Sequence, residues 1–346
     1  MPTFTADQLR KASTSIFKAA GVPDDEAVLV SDLLVRANLA GHDSHGVIRV
    51  IQYVDQIGKG SIIPGSVIEV VRETPSSALL DGNWGLGQVI GVRAMKMAIE
   101  KAKQNTVSVV CVHNSYHLGR LSDYTMLAAE NDMIGIAMVN SRNIVTPYGG
   151  MERMLSTGPI SYAFPTDSES PFFLDIATSI CAEGKVRVML HKGERLPHKW
   201  IIDKHGNLSD NPADLYDGGA ILPFGGEVGY KGFGLGLVNE VLTAILGRSG
   251  FAFSERKTGN GVFMEAINIS SFMPIDQFKR ETDELIRAIK RSKPMPGFAE
   301  VLMPGEPEFR TEKRRLRNGI YVPERTWKEI TDTARDLNVD VDSLIT

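Results

Sequence analysis

Several short stretches carry side chains able to move a proton or hold an anion. Gly41-His42-Asp43-Ser44-His45-Gly46-Val47-Ile48-Arg49 sets an imidazole four residues before a guanidinium. If the chain is helical from Gly46 to Ile57, Arg49 lies one turn beyond His45 on the same side, and the two could face one small anionic molecule. A solvated turn followed by an ordinary surface arginine fits the same spacing equally well. His113-Asn114-Ser115-Tyr116-His117-Leu118-Gly119-Arg120 supplies two more histidines, and His117 taken alone reads as an ordinary loop histidine. In Phe172-Phe173-Leu174-Asp175-Ile176-Ala177-Thr178-Ser179 an aspartate stands among apolar residues. An unpaired buried carboxylate is costly, so Asp175 must either face a polar site or cap the following segment, with a histidine partner competing with the cap.

The elements that must position these groups follow from the apolar patterning. Val107–Val112 leads into the second histidine pair, Leu121–Glu130 has helical character, and Met133–Val139 is again apolar. Strand, polar turn, helix, strand is the order of a βαβ unit, whose ligands gather at the carboxyl ends of strands. Upstream, Thr5 and Gln8 form a capping-box pattern before an amphipathic helix to about Ala20, and Pro23 opens a second helix ending near Gly41. Val67–Val71 and Ser77–Leu80 are predicted strands; Ile160–Phe164 and Gly261–Ile269 also have strand character. Helices are predicted from Pro274 to about Lys290 and from Pro323 to about Leu337, while residues 191–218 read as a polar surface excursion. Arg314, Arg315 and Arg317 read as a solvated helix face.

Two glycine-rich stretches invite a nucleotide reading. In the first, Gly85, Gly87 and Gly91 have the wrong spacing for GxGxxG, and the strand ending at Val112 lacks the acidic residue that would hold a ribose, so it is a tight helix entry rather than a Rossmann site. The second, Pro223-Phe224-Gly225-Gly226 through Lys231-Gly232-Phe233-Gly234-Leu235-Gly236, precedes an apolar helix reaching about Leu246. Closely spaced glycines, a lysine and a helix N-terminus suit close approach of a phosphate, without Walker A spacing. Dense helix packing through small residues explains Gly234 and Gly236 equally simply.

Charge and cysteine usage narrow the partners. The 346 residues carry a net charge of −4 with the signs interspersed, which shows no nucleic-acid footprint. Cys111 and Cys181 lie in apolar or mixed runs and read as free thiols of a reducing compartment. With neither a leader pattern nor an apolar run of membrane-spanning length, the expectation is a soluble cytoplasmic protein, and the histidine spacings predict no metal site.

Taken in order, Gly41 to Gly46 with Arg49, the Ser115/His117/Gly119 segment, Pro147-Tyr148-Gly149-Gly150, Leu174 to Ser179 and Pro223 to Leu235 resemble the type-2 malate/L-lactate dehydrogenase family over nearly the whole chain. The resemblance implies an α/β fold with a non-Rossmann NAD(P)-binding domain over 76–270 and a second domain built from 1–75 and 271–346, assembled as a homodimer. It places His45, His117 and Asp175 in the catalytic machinery, and Ser44, Arg49 and Asn143 on the substrate. Ser115, Gly119, Arg120, Pro147, Gly149, Thr178, Lys231, Gly232 and Gly234 fall to the cofactor, NAD or NADP, with Arg120 or Arg142 open to a 2′-phosphate. Two departures stand out: Thr157-Gly158-Pro159 where many relatives have Thr-Asn-Pro, and Asn143 where some have lysine.

The chemistry implied is hydride transfer between nicotinamide and C2 of a 2-hydroxy/2-oxo acid. Malate leads, followed by lactate, sulfolactate and ureidoglycolate; reduction of a cyclic imine acid such as piperideine-2-carboxylate needs the same grip. Arg49 would hold the carboxylate through its two-pronged guanidinium. An imidazole with an ordinary pKa near 6.5 can take the hydroxyl proton close to neutrality; His45 is favoured for that step, with His117 holding substrate or cofactor and Asp175 orienting a partner. A non-catalytic binding protein is the remaining alternative.

Overall fold

Thr5 caps the first helix. Its side chain accepts from the Gln8 N–H while Gln8 reaches back to the Thr5 N–H, so α1 (Ala6–Ala19) starts where the capping box predicts, just after β1 (Thr3–Phe4). α2 (Asp24–Leu39) follows with Asp24, Asp25 and Glu26 at its positive end. A 3-10 turn over Asp43–His45 comes next, and α3 (Arg49–Gly58) begins three residues later than the apolar spacing predicts. The delay has a cause: Gly46 N–H bonds Asp43 O and Arg49 N–H bonds Gly46 O, tight turns that postpone the α ladder. The computed structural model describes residues 2–167, 171–255 and 259–345.

The middle of the chain runs β2 (Glu69–Thr74), β3 (Ser77–Asp81), α4 (Gly87–Asn105), β4 (Val107–Ser115), α5 (Ser122–Ala129), β5 (Met133–Asn140), β6 (Ile160–Phe164) and β7 (Phe172–Ile176). It continues through α6 (Glu183–Lys192), β8 (Ile201–Ile202), β9 (Leu208–Ser209), α7 (Pro212–Tyr216), β10 (Ala220–Ile221), α8 (Tyr230–Glu240) with a π-helical turn over Val241–Leu246, and β11 (Asn260–Asn268). One mixed sheet has the order β2-β3-β4-β11-β5-β6-β7, in which only the β3–β4 pairing is parallel. The predicted order β4, α5, β5 is therefore present, but β11 separates the two strands and pairs antiparallel with both. Apolar runs reveal strands without their neighbours, and β11 arrives more than a hundred residues later. The sheet thus departs from the all-parallel Rossmann arrangement.

Residues 191–218 are not a mere surface excursion. Together with α6 and β10 they form a small three-stranded unit whose core includes Cys181, Val186, Leu196, Ile201, Leu215 and Ile221. Its short strands carry too few apolar residues to show a period.

The chain ends with α9 (Ile275–Lys290), α10 (Glu306–Asn318), β12 (Ile320–Tyr321), α11 (Glu324–Asp336) and α12 (Val341–Ile345). β12 pairs with β1, and Phe4, Ile16, Phe17, Leu34 and Tyr53 share one core with Ile320, Val322, Ile330 and Ala334. Burying each large apolar side chain there contributes about 1.5–3 kcal/mol, enough to make the two ends of the chain fold as one body. Among the described residues no helix is long and apolar enough to cross a membrane, and no group of three or more His, Cys, Asp or Glu is placed to hold a metal ion.

Candidate active site

His45 on the 3-10 turn and His117 just beyond β4 meet with their rings stacked, centroids 5.5 Å apart. Each ring is anchored through Nδ1: His45 to the Ser44 hydroxyl at 3.0 Å, His117 to the Tyr53 hydroxyl at 2.7 Å. Among the described residues neither Nε2 has a hydrogen-bond partner. α3 directs Arg49, Gln52 and Tyr53 toward this pair because positions i, i+3 and i+4 lie on one face. Arg49 Nε donates to Ser44 O at 2.7 Å and Nη1 to Gln52 Oε1 at 2.5 Å, leaving the remaining nitrogen of the fork for a ligand.

The turn bearing Ser44 and His45 is clipped from two directions. Asn38 Nδ2 donates to Asp43 at 2.7 Å while its carbonyl oxygen accepts from Val47 N–H at 2.8 Å, so one amide spans the turn. The amide lies so close that a Cβ on Gly46 would sit 2.2 Å from Asn38 Oδ1, which requires glycine there. From the far end of the chain, Arg315 on α10 grips both oxygens of Asp43, at 2.5 and 2.9 Å, and donates to Asn38 O. The arginine run is therefore not simply a solvated face. Beside it, His42 Nε2 lies 3.4 Å from Glu308, which this contact holds below the usual carboxylate range.

Electrostatics keep both imidazoles neutral. Burial, then the positive charges of Arg49, His42 and Arg120, lower His45 to about 3. Burial, Arg49 and His45 put His117 well below its ordinary value. The expected base of ordinary pKa is thus replaced by a ring poised neutral beside a cation, and a substrate carboxylate on Arg49 would relieve part of that depression.

Asp175 takes a different place from the one expected. Its Oδ2 accepts from Ser122 N–H at 2.8 Å, capping α5, an earlier helix rather than the following segment. Burial raises its pKa, and no hydrogen bond or ion pair joins it to His45 or His117 among the described residues. Arg120 is held by Asp123 at 2.5 and 3.1 Å, which together with Asp175 and Glu312 outweighs burial and raises its pKa. Arg142 remains exposed. Ser115 is buried with its hydroxyl turned back onto Tyr116 O, and Asn143 donates its side-chain amide to Arg153 O at 2.8 Å; neither is tied to the histidine pair. Gly119 adopts φ +78° at the bend between His117 and Arg120.

Most of the other cofactor candidates gather around the second glycine-rich stretch. Thr178 O accepts from Phe224 N–H at 2.8 Å, and Ser179 pairs with Pro223, so the end of β7 runs beside the glycines. Pro147-Tyr148-Gly149 flanks the same loop through Tyr148, whose hydroxyl reaches Glu227 O and whose ring meets Tyr230 edge-on at 6.0 Å. Gly232 is fixed by packing, since a Cβ would fall 2.3 Å from Phe224 O. Around Gly149, Gly226 and Gly234 nothing lies within 4 Å of a Cβ, while Lys231 is exposed in the first turn of α8. Open backbone, a cation and the N-terminus of an 11-residue helix suit the pyrophosphate of a dinucleotide. Dense packing therefore describes Gly236, which faces Leu155 and Thr178, but not Gly234.

Sequence reasoning missed Gln52, Tyr53, Gln88, Asn38 and Arg315. The i, i+3, i+4 series from Arg49 could have found Gln52 and Tyr53. No local signal marks Gln88 or Arg315, which reach Tyr53 and Asp43 from separate helices.

Residues 4–331 match the model of the malate/L-lactate dehydrogenase family. A malate dehydrogenase of Pyrococcus horikoshii is 40% identical over 343 residues, covering 96% of this chain and 95% of that protein. An L-sulfolactate dehydrogenase of Methanocaldococcus jannaschii is 38% identical with 97% of each covered. The solved structure of a sulfolactate dehydrogenase from Methanocaldococcus jannaschii superposes with a TM-score of 0.92 over 100% of both chains at 36% identity. A malate dehydrogenase structure from Entamoeba histolytica gives a TM-score of 0.94 at 31% identity, covering 98% of this chain and 99% of that one. The chain belongs to the malate/L-lactate dehydrogenase family, with its two-domain, non-Rossmann α/β architecture.

Proposed function

We propose that this protein is an NAD(P)-dependent 2-hydroxyacid dehydrogenase that favours malate, with His45 as the proton-transfer group. The observation that carries the reading is the convergence of Arg49 with two neutral imidazoles whose Nε2 atoms have no hydrogen-bond partner among the described residues. Arg49 orients the substrate carboxylate, which brings the C2 hydroxyl toward the imidazoles. His45 takes the hydroxyl proton on Nε2, with Ser44 holding the opposite nitrogen. Thr178, Lys231 and the open glycines would hold the dinucleotide, whose nicotinamide supplies the hydride acceptor. Malate and sulfolactate, the substrates named for relatives 35–41% identical, both carry a second anionic group, whereas an L-lactate dehydrogenase is 30% identical, and this order favours dicarboxylate-like acids over lactate.

In this reading residues 76–270 form the cofactor domain and the two chain ends the substrate side. The enzyme works as a homodimer, a proposal supported by the apolar outer face of residues 230–246, where Val241 and Ile245 are 51% and 56% exposed.

Absorbance at 340 nm tests the reading, with NAD and NADP in turn against malate, lactate, sulfolactate and ureidoglycolate, and with the oxo and cyclic imine acids plus reduced cofactor. Malate is expected to turn over fastest, and His45→Ala to lower kcat/KM by about 10²- to 10⁴-fold. No turnover and no binding of either dinucleotide would remove the dehydrogenase reading.

A further inference from the structure

Tyr53 is fully buried, and so is Gln88 apart from 1% of its surface. Gln88 Nε2 donates to the Tyr53 hydroxyl at 2.7 Å, and that hydroxyl lies 2.7 Å from His117 Nδ1. A phenol has one proton to give, and an amide N–H cannot accept it. Burial pushes the Tyr53 phenol well up, so it remains protonated. Its proton therefore has one acceptor here, His117 Nδ1, and that nitrogen must carry a lone pair. Turning the Gln88 amide round would exchange its unpartnered carbonyl oxygen, Oε1, for a second unpartnered N–H, and only the orientation here puts a donor on the Tyr53 hydroxyl.

We propose that Tyr53, backed by Gln88, is a positioning residue that locks His117 as the Nε2–H tautomer, so that this ring meets the substrate C2 oxygen as a hydrogen-bond donor and not as a base. The inference rests on the dehydrogenase reading and divides labour within it. Ser44 differs from Tyr53 in having no second donor fixed upon it, so its hydroxyl can either give to or accept from His45 Nδ1. With Nδ1–H given to Ser44, His45 therefore presents a bare Nε2 that takes the hydroxyl proton in alcohol oxidation, and the imidazolium so formed returns that proton in carbonyl reduction. His117 polarises the C2 oxygen in both directions without exchanging its proton.

Nitrogen NMR on histidine-labelled protein reads the tautomer directly, with the His117 signal assigned by its loss in His117→Asn. The expected result is an unprotonated Nδ1 and a protonated Nε2 throughout pH 6–8. In Tyr53→Phe the ring is expected to mix tautomers, and kcat/KM for oxo-acid reduction to fall on the order of 10- to 100-fold with dinucleotide affinity unchanged. Gln88→Leu should show a weaker form of the same change. Nδ1–H or imidazolium in the wild-type protein overturns the inference, as does Tyr53→Phe with wild-type spectrum and rates. The wild-type spectrum needs no variant to fold and no turnover. A wrong tautomer in an active enzyme sinks this inference alone, whereas the right tautomer without nicotinamide binding or turnover sinks the dehydrogenase reading.

Discussion

Around the histidine pair side chains set the geometry, whereas along residues 225–246 the backbone sets it. His45, His117 and Arg49 are each oriented by a neighbouring hydroxyl, carbonyl or amide, and Asn38 and Arg315 hold the turn beneath them. In the glycine-rich stretch, Gly225 and Gly226 take positive φ, Gly232 presses on Phe224, and the outer face keeps Leu237, Val241 and Ile245 exposed. The first region is organised for chemistry before any ligand arrives. The second presents exposed apolar side chains and open backbone. Substitutions in the first should change rates more than stability, and those in the second should do the reverse.

Gly232→Ala should have the largest effect on folding. Its Cβ would meet Phe224 O, N and Cα at 2.3, 2.5 and 2.8 Å, all backbone atoms that cannot swing aside. Overpacking of this kind costs about 1–3 kcal/mol, so thermal denaturation should show a clear fall in Tm. An unchanged Tm would mean that the loop is soft, and the comparison of the two regions would lose its basis.

The histidine pair should make stability depend on acid. Both folded pKa values lie below the unfolded 6.5, His45 at about 3, so between those limits the unfolded chain binds protons that the native one refuses. Their contribution is complete above about pH 6.5 and declines as pH falls toward the folded values. Melting curves from pH 7 to pH 4 should therefore drop less steeply for His117→Asn than for the wild-type protein. Parallel curves would show that the ring is not buried neutral. The same depression removes any acid limb near pH 6.5 from alcohol oxidation by the free enzyme.

Arg315→Ala should be milder. It removes the pair of contacts to Asp43 and the bond to Asn38 O, but Asn38 still spans the turn. A partly exposed ion pair contributes about 1 kcal/mol or less, so Tm should move little while kcat/KM falls by roughly 3- to 10-fold as His45 loosens. Loss of stability without loss of rate would reverse the assignment.

Local patterns carried much of this organisation. The capping box at Thr5 and Gln8 and the strands on either side of the histidines follow from nearest-neighbour chemistry, and each element is present. What stayed hidden depends on distant pairings. β11 enters between β4 and β5, and Arg315 reaches Asp43 across 272 residues, with nothing in its own helix to distinguish it from Arg314. Asp175 shows the limit for single residues. Its apolar flanks correctly demanded a polar partner, but not that the partner would be the start of α5. Resemblance drew His45, Arg49 and His117 to one site; only the fold supplied Tyr53 and Gln88 beneath it.

Gly234→Ala should have the smallest effect and the opposite sign. Gly234 lies within α8 with no atom within 4 Å of its Cβ position, unlike Gly232 two residues earlier. An alanine there gains about 1 kcal/mol of helix propensity, so the ligand-free protein should melt slightly higher. If the dinucleotide lies over this backbone, the added methyl will collide with it, and titration with NAD or NADP will show weaker binding despite the higher Tm. If binding is unchanged while Tm rises, the ligand passes elsewhere than over Gly234. A lower Tm would place Gly234 among the packed glycines, and the contrast between the two regions would narrow to the residues preceding α8.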